Sequence, residues 1–332
     1  MALSRSYAQL ARDMRKPRDI GIHYADAELR PNPPTMRAML EAAAAAASPT
    51  DHLDRLGWMN PVYARLREAA IEQARNADPS ALDLIRVNLD RARALPEGEG
   101  RYVLVDAAAA RLWMYEGGRV AGTMRVVVGK PEEQTPMMAG LIRYASVNPY
   151  WNIPPDLVRI RVAPGAIRQG GKFLRAKRFE ALSGWGEDAR VVDPATIDWR
   201  AVRDGRIDAR VRQLPGPANA MGRIKFMFPN SLGIYLHDTP EMALMREDDR
   251  LFSSGCVRVE DAPRLARWLF GRPVPLKAGE PEKRVDLAEP IPVYITYLTI
   301  AAEGNDIVFR PDVYGRDHAE LAGDDGERFT SR

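Results

Sequence analysis

Apolar residues recur at three- and four-residue intervals through roughly the first 95 positions, and at alternate positions over much of the chain beyond. The first spacing puts a stripe on one face of a helix, and the second puts one face of a strand into a core. Helices are predicted over Leu3–Met14, Thr35–Ala47, Pro61–Asn76 and Pro79–Ala94; in the last, Leu82, Ile85, Leu89 and Ala92 share a face. RPNPP at 30–34 separates the first two and Ser48-Pro49 closes the second, whose alanine run reads as a small-residue helix packed closely on a neighbour. After the turn-rich LPEGEGR at 95–101 the period becomes two. Strands are predicted over 102–106 and over 111–129, the latter folded at Gly117-Gly118. Further strands are predicted over Ile142–Asn148, Arg223–Phe228, Gly233–His237, Val257–Val259, Val293–Ala301 and Ile307–Arg310. Asp261–Phe270 reads as a short amphipathic helix. Between Pro154 and Pro217 regular alternation fails, which marks an insertion, a lid or a subdomain over a site, and a mobile lid is expected. From Tyr314 the chain turns polar and is expected to fray. The fold class is therefore α+β: an α-helical scaffold domain over 1–97, a mainly β domain over 98–312 with a lid insertion at 154–217, and a polar tail over 313–332.

Composition narrows what such a chain does. At 332 residues it is sized for about two domains, and 45% hydrophobic with 28% charged residues is ordinary for a globular chain rather than a disordered one. The net charge is +3, with basic and acidic residues interleaved, so there is no concentrated footprint for nucleic acid. One cysteine excludes an internal disulfide and a zinc site built on several thiolates. That count suits a reducing cytosol and equally suits an exported protein. No apolar run reaches the roughly 18 residues a membrane-crossing helix needs. MALSRSYAQLARDMRKPRD lacks the apolar segment of a signal peptide, so either the chain is not exported by that route or its numbering starts after a removed segment.

Candidate chemistry is concentrated between Gly233 and Glu260. His237 ends the predicted strand GIYLH, and Cys256 opens another directly after Ser253-Ser254-Gly255. Two strand ends 18 residues apart can lie side by side in one sheet, bringing thiol and imidazole together. A cysteine attacks as its thiolate, and a neighbouring imidazole takes its proton. Gly255 lets the backbone turn so that the Gly255 and Cys256 amides can face a developing oxyanion. Ser254 either orients that loop or the imidazole, or simply forms a local turn. The plain alternative is a cysteine buried as a small hydrophobe and a strand-end histidine with a structural partner. By strand alternation Tyr235 shares the face of His237, and Arg258 that of Cys256, where a guanidinium can take a substrate carboxylate or form a structural ion pair. Asp238 faces the other way and is not assigned to the site. His23, His52 and His318 have no comparable surroundings. One thiolate and one imidazole leave a four-coordinate metal site two ligands short, so no metal is assigned.

The strings HDTP at 237–240 and RLFSSGCVR at 250–258 closely resemble the signature of the L,D-transpeptidases, whose YkuD-type domain carries a histidine, a loop, and then a Ser/Thr-x-Gly-Cys motif. VVVGKPEEQTP at 126–136, NPYWNIPP at 148–155 and GRIKFMFPN at 222–230 look like blocks of the larger, YcbB-like branch, which has a helical scaffold and a capping insertion. The resemblance implies acyl transfer between peptidoglycan stem peptides. Cys256 would attack a tetrapeptide donor at its third residue, expel a terminal D-alanine, and pass the acyl group to a diaminopimelate-type amine as a 3-3 cross-link. His237 would be base and then acid, with its other ring nitrogen on a backbone carbonyl. The resemblance places Tyr235 at the oxyanion or substrate pocket and Trp151 at the cleft, with Tyr150 and Asn152 as weaker companions; Trp151 serves equally as a packing anchor. It implies no cofactor, penem-class β-lactams as covalent inhibitors, and an extracytoplasmic (periplasm or cell envelope) location. The same thioester given to water or to a protein lysine would make a carboxypeptidase or a protein–peptidoglycan ligase, and a non-catalytic wall-binding scaffold protein is the alternative from another class. No segment of 1–95 reads as a separate peptidoglycan-binding module.

Overall fold

The computed structural model describes residues 19–32, 35–48, 60–73, 78–186, 188–276, 279–304 and 306–322. The helix predicted over Leu3–Met14 and His52 lie outside them. The strands are β1 (His23–Tyr24), β2 (Arg101–Asp106), β3 (Arg111–Glu116), β4 (Arg119–Gly129), β5 (Met138–Val147), β6 (Trp151–Ile153), β7 (Phe179–Leu182) and β8 (Val191–Val192). They continue with β9 (Arg210–Gln213), β10 (Ile224–Met227), β11 (Leu236–His237), β12 (Leu251–Ser253), β13 (Val257–Val259), β14 (Lys283–Thr296), β15 (Ile300–Glu303) and β16 (Asp306–Phe309). The main helices are α1 (Met36–Ala45), α2 (Pro61–Gln73), α3 (Pro79–Arg93), α4 (Ala163–Gln169), α5 (Gly171–Ala176), α6 (Trp199–Arg203) and α7 (Ala262–Phe270).

The helix ends follow capping chemistry. Asp78 accepts the Ala81 amide at 2.9 Å to start α3, with Pro79 in the first turn and Arg91 and Arg93 in the last. Asp261 caps α7 in the same way, and Gly271 closes it with a left-handed φ of 65°. Gly117 and Gly118, at φ 54° and 73°, turn β3 into β4 as the sequence predicts, because a tight hairpin needs positive φ at both positions.

The main sheet runs β5-β10-β11-β13-β4-β3-β2-β14, and β14 pairs β5 as well, so the path closes on itself. Its interior is a single apolar cluster to which α7 contributes Ala262, Leu265, Ala266 and Leu269. Helices α2 and α3 pack on the outside: Tyr63 and Ala92 meet Tyr102, Tyr115 and Tyr294, while Leu66 and Ile85 meet Ile300 and Ile307. The segment Gly233–His237 is strand only over Leu236–His237, and Val293–Ala301 is divided between the end of β14 and the start of β15. The strand Val257–Val259 forms as predicted, with Cys256 just ahead of it.

The irregular region 154–217 is not a loose loop. Strands β6-β9-β7-β8 form a small sheet, covered by a helical run that passes through a wide π-turn at Val158–Val162 into α4 and α5. Val158, Val162, Leu174, Trp199 and Val211 build its own core. Sequence alternation missed it because its strands are short and one of its pairings, Trp151 with Gln213, spans about 60 residues. This cap is in effect the loop of a β5–β10 hairpin, with Val147 opposite Ile224 and Asn148 N–H bonded to Arg223 O at 2.8 Å. Asn219 pins its neck: the side-chain amide reaches Pro149 O at 3.1 Å on the way in and Leu214 O at 3.0 Å on the way out.

The expected fraying from Tyr314 is also corrected over 314–322, while 323–332 lie outside the described residues. Tyr314 is buried, residues 316–322 are helical, and buried Asp317 forms an ion pair with buried Arg91 of α3. Hydropathy reads such residues as solvated, yet here paired charges and ring stacking hold a polar segment against the body. No helix among the described residues is long and apolar enough to cross a membrane.

Candidate active site

The parallel ladder between β11 and β13 sets Leu236 beside Val257 and His237 beside Arg258. Leu236 and Val257 point into the core, so His237, Arg258, Tyr235 and Cys256 share the opposite face. On the other side of β11, Lys225 of β10 is registered against His237. One row across three strands therefore reads Lys225, His237, Arg258, with Tyr235 and Cys256 one pleat back along it. Tyr235 and His237 meet edge to face with ring centroids 6.0 Å apart.

His237 is only 2% exposed. Its Nδ1 lies 2.6 Å from the Asp238 carbonyl oxygen, a geometry in which Nδ1–H donates and Nε2 keeps its lone pair. The Asp238 carboxylate is turned away, accepting from the Arg223 backbone and Nε, both at 2.9 Å. Gly222 makes room for it: a Cβ there would come within 2.6 Å of Asp238 Cβ. Burial, and after it the Arg258 charge, drive the His237 pKa down to about 3; the Asp238 hydrogen bond opposes this, and the Lys225 charge adds the smallest push. Cys256 is partly accessible, with its thiol directed at the Gly233 carbonyl 3.7 Å away. Burial pushes the thiol up to about 11, partly offset by hydrogen bonds from Tyr235 and by the charges of Arg258 and Lys225. At neutral pH both partners are uncharged, so the pair rests as thiol and imidazole rather than as an ion pair.

The depressed histidine makes folding pH-dependent. Between its folded pKa near 3 and the ordinary 6.5, the unfolded chain binds a proton that the folded chain does not. This contribution is complete above pH 6.5 and lost as pH falls through that window. Urea unfolding of wild type and His237→Gln at pH 7 and 4.5 should show wild type losing about 2–3 kcal/mol more than the variant. Equal losses would show that His237 is not held neutral.

The remaining predicted residues distribute unevenly. Arg258 is ion-paired with Glu241, so its guanidinium is occupied but exchangeable with another carboxylate. The Gly255 N–H is taken by Ser253 Oγ at 3.2 Å, and Ser253 Oγ itself donates to Cys256 O at 2.6 Å. The expected pair of free amides is thus reduced to that of Cys256, and Ser253 rather than Ser254 holds the turn. Ser254 faces the cap, accepting from Arg161 at 2.9 Å and bonded to Glu133. Trp151 packs against the cap's core. Tyr150 lies under the Arg212 guanidinium, 4.1 Å from its ring centroid. Asn152 is exposed on β6 opposite Arg212. His23 touches Ser231, and His318 is exposed on the C-terminal segment. Lys225 is the residue that sequence reasoning passed over: it is 9% exposed and reaches Glu282 Oε1 at 2.9 Å and Tyr150 O at 3.4 Å. Its signal was a lysine set between the apolar Ile224 and Phe226 in GRIKFMFPN, a block it shares with Arg223.

The thiol's hydrogen-bond partners are Gly233 O and Tyr235 rather than His237. A thiol and a neutral imidazole on one face of adjacent strands, with one ring nitrogen tethered and cations nearby, are the parts of a cysteine–histidine acyl-transfer centre. Residues 100–286 match the family model described as YkuD, the L,D-transpeptidase catalytic domain, and residues 1–69 match the one described as a scaffold domain. The chain belongs to the L,D-transpeptidase family. A putative L,D-transpeptidase of Haemophilus influenzae is 33% identical over 240 residues, covering 70% of this chain; the chain spans 48% of that relative's length. Among solved structures, an L,D-transpeptidase from Mycobacterium smegmatis aligns with 60% of this chain and 59% of its own, at 13% identity and TM-score 0.30. A cysteine-to-serine mutant of the Enterococcus faecium L,D-transpeptidase aligns with 61% of this chain and 52% of its own, at 14% identity and TM-score 0.27.

Proposed function

We propose that this chain forms 3-3 cross-links between peptidoglycan stem peptides through a thioester on Cys256. The observation that carries this reading is the buried, neutral His237, tethered through Nδ1 to the Asp238 carbonyl and sharing a face with the chain's one cysteine. Nε2 takes the thiol proton as sulfur attacks the carbonyl of the third stem residue. The tetrahedral intermediate collapses with loss of the D-alanine amine, which receives the proton from the imidazolium. The side-chain amine of a second stem peptide then attacks the thioester, His237 takes its proton, and the returning thiolate is reprotonated. Two half-reactions through one covalent intermediate need a nucleophile and one proton shuttle, without a cofactor.

The Cys256 amide and the Tyr235 hydroxyl are the oxyanion donors in this scheme, with Gly255 shaping the turn. Arg258 trades Glu241 for a stem-peptide carboxylate, while Tyr150 and Asn152, with Trp151 anchoring their strand, line the cap side of the cleft. The substrate puts the protein outside the cytoplasm, in the periplasm or cell envelope, and penem-class β-lactams acylate Cys256. Incubation of the purified protein with tetrapeptide muropeptides should yield cross-linked dimers and free D-alanine. Tripeptide monomers alone would instead establish the carboxypeptidase outcome, and no turnover would overturn both.

A further inference from the structure

The block VVVGKPEEQTP enters the site as described only through Glu133, yet it ends beneath the cysteine loop. Thr135 is fully buried at 0% exposure. Its Oγ1 accepts the Gly129 N–H at 2.8 Å and donates to the Gly255 carbonyl at 2.8 Å. That carbonyl and the Cys256 N–H belong to one planar trans peptide, so fixing the oxygen on one side aims the N–H to the other. Gly255, at φ 103°, is in backbone space open to glycine and carries no side chain to restrain the plane. Without an external hold, this peptide is the loosest part of the turn.

Thr135 is itself held from an unexpected quarter. Tyr314, in the segment read from sequence as frayed, donates its hydroxyl to Gly129 O at 2.5 Å, and Arg316 donates to Thr135 O at 2.8 Å and to Gln134 Oε1 at 3.1 Å. The loop that brings Thr135 back to Gly129 can close only because residue 129 has no side chain, since a Cβ would fall 2.1 Å from Glu133 O and 2.7 Å from Thr135 N. Tyr314 stacks on Tyr297 with centroids 5.1 Å apart and its N–H bonds the Tyr297 hydroxyl at 3.0 Å. Arg91 of α3 closes the path, bonding Tyr297 O at 3.1 Å and pairing with Asp317. Tyr297, Tyr314, Arg316 and Asp317 all lie beyond the residues matched by the catalytic-domain model, which end at 286.

We propose that Thr135 is a positioning residue that aims the Cys256 amide at the developing oxyanion, and that Tyr314 in the C-terminal segment holds Thr135 in place. This rests on reading Cys256 as the acylated nucleophile. It separates two reactions of the same thiol. Acylation passes through an oxyanion and needs the aimed amide; alkylation by iodoacetamide displaces iodide and forms no oxyanion.

The test compares full-length wild type, Thr135→Val, Thr135→Ser, Tyr314→Phe and a control, Thr123→Val, which removes a threonine hydroxyl bonded to Leu112 O far along β4. Imipenem acylation is followed by intact mass over a concentration series, giving a half-saturation constant and a maximal rate. Thr135→Val should lower the maximal rate about 10²-fold, as loss of an oxyanion donor does. Its half-saturation constant and its iodoacetamide rate should stay within about threefold. Thr135→Ser should restore the rate to within about threefold, Tyr314→Phe should fall between, and Thr123→Val should match wild type. Should Thr135→Val fail to fold, Thr135→Ser and Tyr314→Phe carry the comparison: a wild-type rate in Tyr314→Phe overturns the hold from the C-terminal segment. Undiminished acylation in Thr135→Val, or a parallel loss of alkylation, overturns the aiming role. No imipenem adduct on wild type would instead remove the nucleophile reading on which the inference stands.

Discussion

Cys256→Ala will form no adduct with a penem-class β-lactam and no cross-linked muropeptides, a loss of about 10⁵-fold or more, as for the loss of a hydrolase nucleophile. The chain has one cysteine, so no second thiol can substitute, and intact mass reads the result without ambiguity of site. The fold should survive, because the thiol's contact is a long one, 3.7 Å from the Gly233 carbonyl, and the residue is only partly buried. Thermal unfolding within a few degrees of wild type, together with complete loss of adduct, is the expected outcome. Cross-linking at the wild-type rate would remove Cys256 from the chemistry.

The second large effect is that of His237→Ala, about 10³-fold at neutral pH, with a changed pH profile. On the mechanism proposed above, Nε2 of wild type collects the thiol proton during attack, so the rate depends little on the standing thiolate fraction. Without the imidazole the rate follows that fraction, and burial holds the thiol up near 11. Activity of the variant should therefore climb about tenfold per pH unit from 7 to 10, while wild type stays nearly flat. A variant whose profile parallels wild type would show that His237 is not the proton acceptor.

The parts that were legible in the sequence are those where local rules and tertiary structure agree. Asp78-Pro79 announces α3, Gly117-Gly118 the β3–β4 turn, and alternation puts Tyr235 with His237 and Cys256 with Arg258. What was not legible depends on partners distant in the chain. Ser253 and Ser254 are adjacent and chemically identical, and only the fold decides that one clasps the Cys256 carbonyl while the other meets Arg161 of the cap. Lys225 carries no local signal of its partners, and its register with His237 and its bond to Glu282 are set by the fold. Tyr314 and Asp317 sit in a polar stretch whose burial depends on Arg91, more than 200 residues earlier.

The cap's single pinned neck has a consequence for how such a chain can change over time. Val147 and Ile224 pair across it as they would if joined by a two-residue turn, so nothing in the cap sets the register that lines up Lys225, His237 and Arg258. With entry and exit both gripped by Asn219, the whole unit is a cassette whose ends already lie together, the circumstance in which exchange of inserted domains is best tolerated. The cap can thus be exchanged as one contiguous stretch of gene, while the row Lys225, His237 and Arg258 is inherited untouched; on the proposed function, that is the stretch in which donor and acceptor preference would diversify.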